Sequence, residues 1–234
     1  MKNLRVEATL VALGLVLMGF FVRSGLVSFA ERDRSVVVRG LAEREVQADR
    51  VIWPIVYKTV GNDLAALYAQ INRVNAEITD FLKQNGITDK EITVSAPQVL
   101  DILTDRYQAN NGPRDRYNVT TVLTVSSGQV DVVRGLMARM GELLKKGIAI
   151  SENDYQNRVQ FEFTSLNKIK PEMIEEATRN GREAAQKFAK DSDSRLGKIK
   201  TASQGLFSID DRDSNTPHIK RIRVVTNITY YLDN

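Results

Sequence analysis

The chain has 234 residues with 33 basic and 29 acidic side chains, a net charge of +4, one histidine and no cysteine. This composition excludes a disulfide framework, a cysteine nucleophile and a multi-histidine metal site built by one chain. Residues 31–234 alone carry a net charge of only +2, which argues against a nucleic-acid partner.

The N-terminal segment is apolar and decides where the protein resides. Ala8–Val22 is uncharged and has the length of a secretory signal core. Val6–Phe29 reaches the roughly 20 residues of a transmembrane helix, provided that Arg23 extends its guanidinium to the interface. We predict a retained anchor over residues 1–30 that contacts the membrane through residues 6–29. Cleavage after Ala30, which would leave a soluble periplasmic protein, is the alternative.

Basic residues flank both ends of this segment, so charge alone does not set its orientation. A short tail before a large C-terminal domain is typical of an exported domain. We therefore expect the remainder of the chain in the periplasm or outside the cell, and the absence of cysteine is compatible with this expectation.

Two strands with a turn near Asp49 are predicted from Ser35 to Thr59. Alternate residues of the second strand share one apolar face, namely Val51, Trp53, Ile55, Tyr57 and Thr59. Pro54 has no N–H to donate to a ladder, which predicts an edge position or a bulge at that residue.

A helix follows, capped by Asn62 or Asp63 and ended by Asn85-Gly86 in a left-handed conformation. Its apolar residues recur at a spacing of three and four and predict one buried stripe. They are Leu64, Leu67, Tyr68, Ile71, Val74, Ile78, Phe81 and Leu82.

The middle of the chain predicts more strands. Ile92–Leu103 and Tyr117–Val125 flank a polar hairpin loop, and Ser126 and Gln129 have the spacing of a capping box that opens a helix. The alternation of apolar and polar residues from Tyr155 to Phe163 predicts a half-solvated strand.

A third helix is predicted from Pro171, in its first turn, to about Asp191, followed by strands over residues 198–207 and 221–232. Small residues on one side of this helix allow a close approach of backbones. They are Ala177, Gly181, Ala184, Ala185 and Ala189. This side packs either on the protein's own sheet or between subunits.

Two stretches share the order strand, helix, strand, strand, starting at Val51 and at Tyr155, with an offset of roughly 105 residues. The predicted fold class is therefore α+β, with an internal duplication of this unit and a connecting helix, preceded by one transmembrane helix. We expect residues 31–234 to form one domain, because no Gly/Ser-rich or Pro-rich linker divides them.

No pattern predicts a catalytic residue, a metal ligand or a cofactor site. His218 lies in a polar loop and is expected to be an exposed bystander. The acidic runs at Asp191-x-Asp193 and Asp210-Asp211-x-Asp213 lack the glycine and the bidentate glutamate of a calcium loop.

Several short motifs, taken in order, resemble the SIMPL-domain family of mostly bacterial envelope proteins. They are Val38-x-Gly40-x-Ala42, Val46-x-Ala48-Asp49, Asn72, Leu82, Gly86-Ile87, Glu91-Ile92-Thr93, Tyr107, Tyr117, Glu176-Ala177, Ala184, Lys187-Phe188-Ala189 and Leu196-Gly197-Lys198-Ile199. The resemblance extends over about residues 36–232, and Ala48 stands where the family pattern has a proline.

The resemblance implies an α+β fold, export, and no agreed enzymatic activity or catalytic residue. It also implies, from some members, a link to oxidative-stress protection and ring-like homo-oligomers. We therefore expect a non-enzymatic, membrane-anchored envelope protein whose domain self-assembles. The alternative is a monomeric periplasmic module that binds a cell-wall or stress-related ligand.

Overall fold

A computed structural model describes residues 2–31, 34–104, 115–151 and 157–233. These residues are 42% helix and 38% strand, which confirms the mixed α and β composition. The elements in chain order are α1 (Lys2–Glu31), β1 (Ser35–Gln47), β2 (Arg50–Gly61), α2 (Leu64–Gln84), β3 (Ile92–Val94), β4 (Gln98–Asp101), β5 (Tyr117–Ser127), α3 (Val130–Ala138), α4 (Gly141–Lys145), β6 (Ile150–Ser151), β7 (Gln160–Glu162), α5 (Leu166–Asp191), β8 (Arg195–Gln204), β9 (Ser208–Asp211) and β10 (Ile219–Asp233).

The predicted apolar helix at the N-terminus is confirmed. Ala8–Leu26 of α1 has a mean hydropathy of 1.9, and none of it is buried within the protein. By length and composition this segment is able to cross a membrane. The same properties fit a signal sequence, so the retention of residues 1–30 stays a prediction.

The chain divides into two compact units. Unit 1 comprises residues 1–44, 167–209 and 222–234, and unit 2 comprises residues 45–166 and 210–221. The family resemblance of the sequence therefore extends over parts of both units.

Unit 1 contains α1, α5, β8 and most of β1 and β10. The strand order of its sheet is β1-β10-β8, with β9 also beside β10. The Leu232 N–H donates to the Arg34 carbonyl oxygen at 2.9 Å, so β10 ends where β1 begins. β1 alternates buried and exposed residues because only one of its faces lies against the core.

Unit 2 is built on a sheet of order β3-β5-β2-β6, with β4 beside β5 and β7 beside β2. β2 and β5 pair antiparallel without a register shift from Val51–Ser127 to Gly61–Tyr117. The predicted face of β2 is confirmed, since Val51, Trp53, Ile55, Tyr57 and Thr59 are all buried.

Both predicted ends of α2 are confirmed. Asp63 accepts hydrogen bonds through Oδ1 from the backbone N–H groups of Ala65 and Ala66, at 2.8 and 3.3 Å. Gly86 has a φ of +93°, a conformation that glycine adopts without steric cost. These local signals fix where the helix begins and ends.

The prediction for Pro54 is wrong. β2 lies in the interior of its sheet, and its ladder with β5 continues through the pair Pro54–Thr124. On the other side, β7 pairs with residues 50–52 and β6 with residues 56–57, so Pro54 lies between two short ladders. The missing N–H therefore interrupts neither of them.

The predicted capping box at Ser126 and Gln129 is also wrong. Gln129 makes no capping side-chain bond, and the Ser127 hydroxyl instead donates to Glu91 Oε1 at 2.5 Å. This bond lowers the pKa of Glu91, and Glu91 forms the capping box with Thr88. The Ser127 hydroxyl, one residue after the predicted cap Ser126, thus joins β5 to the turn before β3.

Three strand and helix boundaries differ from the prediction. The strand over Ile92–Leu103 is divided into β3 and β4, and β7 covers only three residues of the Tyr155–Phe163 alternation. Residues 152–156 and most of the hairpin loop, with Tyr107, lie outside the described residues. α5 begins at Leu166, so Pro171 lies inside the helix rather than in its first turn.

The internal duplication is not confirmed. Its second copy was predicted to begin with the strand at Tyr155, but β7 pairs with β2, the first strand of the first copy. β1 lies instead in the sheet with β8 and β10. The strand that precedes α5 is therefore not part of the sheet that contains β8 and β10, and the duplication stays a prediction.

Candidate functional site

One face of α5 consists mostly of small residues spaced four apart. Its buried residues are Met173, Ala177, Gly181, Ala185 and Ala189. Of the five small residues singled out in the sequence, Ala184 alone is exposed. The remaining four face the interior of unit 1.

The small residues of α5 meet a glycine of β1. A Cβ atom on Gly40 would lie 1.8 Å from the Ala177 carbonyl oxygen and 2.7 Å from the Gly181 nitrogen. A Cβ on Gly181 would in turn lie 3.3 Å from the Gly40 Cα. The Asn180 side chain donates to the Leu41 carbonyl at 2.8 Å, so helix and strand are also joined by a hydrogen bond.

Further along the helix, Ala185 is part of a buried cluster with residues of two neighbouring strands, β1 and β10. The other members are Val36, Val38, Ile228 and Tyr230. Between the two alternatives that the sequence left open, the structure uses this face for packing on the chain's own sheet. Of the five small residues, Ala184 is the one that is exposed and able to contact another molecule.

β8 is the most exposed long strand of unit 1. It pairs with β10 on one side, and no strand in the described part of the chain pairs with its other side. All ten of its residues are exposed or half-buried. The ladder between β8 and β10 has register shifts around Tyr230, and Lys198 and Lys200 lie on β8. Such features are typical of edge strands that face solvent.

A cleft of about 490 Å³ lies where β8 begins and β10 ends. It is lined by Lys198, Ile199, Tyr231, Leu232 and Asp233. Gly197 permits a close approach of the two strands, since a Cβ there would lie 3.0 Å from Asp233 Oδ2. Sequence reasoning missed this cleft, because its walls come from two strands brought together by an irregular register.

Two residues of the acidic runs considered as calcium loops, Asp211 and Asp213, have partners within the protein. Asp211 forms an ion pair with the buried Lys220. Asp213 accepts from the N–H groups of Asn215 and Thr216, and the Thr216 hydroxyl bond is the main cause that lowers its pKa to about 2. Among the described residues, no group of three His, Cys, Asp or Glu side chains is placed to hold a metal ion.

The expectation that His218 is an exposed bystander is wrong. Its ring is half-buried and meets the Phe161 ring edge to face, with centroids 6.0 Å apart. Burial lowers the pKa of the imidazole, and the charge of Arg134 acts in the same direction. Its backbone oxygen accepts from the Ala48 N–H at 2.8 Å, so His218 has a structural role in unit 2.

Most of the chain matches a known protein family. The family model named SIMPL, described as a protein of unknown function (DUF541), matches residues 36–223. No curated protein matches the chain.

Proposed function

The chain belongs to the SIMPL family, and from this premise we propose that it is a non-enzymatic, membrane-anchored protein of the bacterial cell envelope whose SIMPL domain forms homo-oligomers. The family and the apolar α1 together fit an envelope protein. The proposal includes a role in envelope or oxidative stress, which the family resemblance supports. The structural contacts of Asp211, Asp213 and His218 support a role other than catalysis.

The open edge of β8 carries the proposal of self-assembly. On the side away from β10, where no described strand pairs with it, this ten-residue strand presents a row of N–H and C=O groups to which a second copy of the same strand is able to add. When two copies of β8 pair across a two-fold axis, each strand provides hydrogen-bond partners for the backbone groups of the other, so one dimer contact closes both open edges. Because the small residues of α5 pack inside unit 1, we place the contact between subunits at the β8 edge and not at α5.

The anchor is the first part of this proposal to test. The full-length protein is expected to stay in the membrane fraction after an alkaline carbonate wash, with an intact mass that begins at Met1. Leu15→Lys should increase extraction, because a lysine at the centre of a span costs about 3 kcal/mol. Arg23→Leu is the matched control and should remain in the membrane. A mass that begins at Glu31 would contradict the anchor.

Self-assembly is tested by the mass of the full-length protein in mild detergent, measured by light scattering. We expect an oligomer, and we expect Ala202→Lys on β8 to shift it toward the monomer, because a lysine on an edge strand opposes strand pairing. Ala184→Lys on α5 introduces the same side chain at another exposed alanine. It should leave the oligomer intact.

A monomeric mass of the unchanged protein would exclude self-assembly, and dissociation by Ala184→Lys alone would move the contact to α5. The stress role is tested with the same pair of variants. Cells with Ala202→Lys in place of the native residue should survive hydrogen peroxide less well than cells with Ala184→Lys. Equal survival of the two strains would separate stress protection from assembly.

A monomeric periplasmic binding module is the second candidate. The cleft between β8 and β10 favours it, because its volume of about 490 Å³ lies in the range of small-molecule sites and its lining combines apolar and charged groups. A monomeric mass in the light-scattering experiment would make this the leading function.

A further inference from the structure

One end of unit 1 lies close in the chain to the anchor. β1 begins at Ser35, and Arg34 accepts the backbone hydrogen bond of Leu232. Arg34 also donates through Nη2 to Ser194 Oγ at 3.3 Å, just before β8 begins. The beginnings of β1 and β8 and the end of β10 therefore share this end of unit 1, which we call the anchor-side end.

The short connection keeps the anchor-side end near the membrane surface. The five helical residues that follow Leu26 rise about 7.5 Å, and the three steps from Glu31 to Arg34 span at most about 11 Å. Arg34 therefore lies within about 19 Å of the end of the apolar segment. The headgroup layer occupies roughly 5–7 Å of that distance.

The cleft of about 490 Å³ opens at this same end. Its apolar wall is formed by Ile199 and Leu232, and Ile199 exposes 51% of its surface. Lys198 supplies a cation and Asp233 an anion, and neither forms an ion pair with a described residue. A ligand that carries both a negative and a positive group, joined to an apolar part, would match this lining.

We propose that the cleft binds the headgroup of a zwitterionic phospholipid of the membrane that holds α1, with Lys198 on the phosphate and Asp233 on the ammonium group. Ile199 and Leu232 then contact the glycerol and the upper part of the acyl chains. This inference rests on the anchored form of the protein in the proposed function. It adds a lipid ligand that is distinct from the anchor itself.

A second feature of the anchor-side end fits a membrane surface. Phe188, in the last turn of α5, exposes 59% of its surface. Its carbonyl accepts from the Ser192 N–H at 3.1 Å, which places it next to the segment that Arg34 contacts. Lys187 and Lys190 on the same turns form no ion pair with a described residue. Exposed aromatic and basic side chains together are typical of the lipid interface.

The test is a titration of the full-length protein, in mild detergent, with short-chain phosphatidylethanolamine and phosphatidylglycerol, followed by native mass spectrometry. Lys198→Gln should weaken both lipids several-fold, because both carry the phosphate. Asp233→Asn should weaken phosphatidylethanolamine several-fold and leave phosphatidylglycerol unchanged, because only the former has an ammonium group. Lys168→Gln and Glu175→Gln, at exposed residues near the start of α5, should bind as the unchanged protein does.

Unchanged binding by both cleft variants, or an equal loss in the controls, would overturn the lipid site. An equal loss of both lipids in Asp233→Asn would overturn the assignment of the ammonium group. Failure of the proposed function gives a different result. Extraction by carbonate would contradict the anchor, and a monomeric mass would contradict the assembly. If the lipid preference is retained in either case, the lipid site of the cleft stands although that part of the proposed function fails.

Discussion

Gly40→Ala is expected to lower the free energy of unfolding by about 3 kcal/mol or more, at the upper end of the cost of overpacking. The added Cβ would lie 1.8 Å from the Ala177 carbonyl oxygen and 2.7 Å from the Gly181 nitrogen. Both neighbours are backbone atoms of α5, so no side-chain rotation relieves the clash. Helix and strand have to separate, and the cluster of Ala185, Ile228 and Tyr230 loses its close packing.

Urea unfolding of the full-length protein in detergent, followed by circular dichroism, measures this effect. Gly135→Ala in α3 is the matched control, because no described atom outside its adjacent residues and the nearby backbone of its own helix lies within 4 Å of the Cβ that it would add. Alanine favours a helix over glycine by up to about 1 kcal/mol, so the control should be as stable as the unchanged protein or more so. An unchanged midpoint for Gly40→Ala would mean that α5 does not approach β1 so closely.

Local patterns predicted much of this fold. The alternation in β2 identified its buried face, and the stripe of α2 identified six of the buried residues of that helix, because a half-buried strand repeats every two residues and a helix every three or four. The other two residues of the predicted stripe, Leu64 and Tyr68, are exposed. Asp63 and Gly86 marked the ends of α2 through their own hydrogen bonding and backbone conformation. Each of these signals depends on residues close together in the sequence.

Features that depend on distant residues were missed. The pairing of β7 with β2 brings together residues about 110 positions apart, and three residues are too few to show a period. The bond from Ser127 to Glu91 likewise joins separate parts of the chain. Ser126 had the spacing of a cap, but the next residue, Ser127, is the buried one, and its hydroxyl makes the hydrogen bond.

The small-residue face of α5 shows the same limit at the candidate site. Its composition predicted a close approach without naming the partner, because Gly40 and Gly181 are separated by more than a hundred residues. The cleft is harder still to predict. Its lining depends on the register shifts between β8 and β10, and no residue spacing in either strand indicates them.

The second large effect is expected for Leu123→Ala in unit 2, a loss of about 2–5 kcal/mol in the free energy of unfolding. Leu123 is fully buried and lies opposite Ile55 in the ladder of β2 and β5. It shares one apolar cluster with Ile78 and Leu82 of α2. A rigid sheet on one side and a helix on the other leave little freedom to close the cavity, which places the expected cost in the upper half of that range.

Gln160→Ala on the exposed side of β7 is the control and should change the free energy of unfolding by no more than about 0.5 kcal/mol. Phe161→Ala should fall between the two, because Phe161 is half-buried against the same cluster and meets the His218 ring. Urea melts of the three variants give this order directly. A Gln160 variant as unstable as the Leu123 variant would contradict it. Since Gln160 is exposed within one chain, such a loss would mean that another copy of the protein covers this strand.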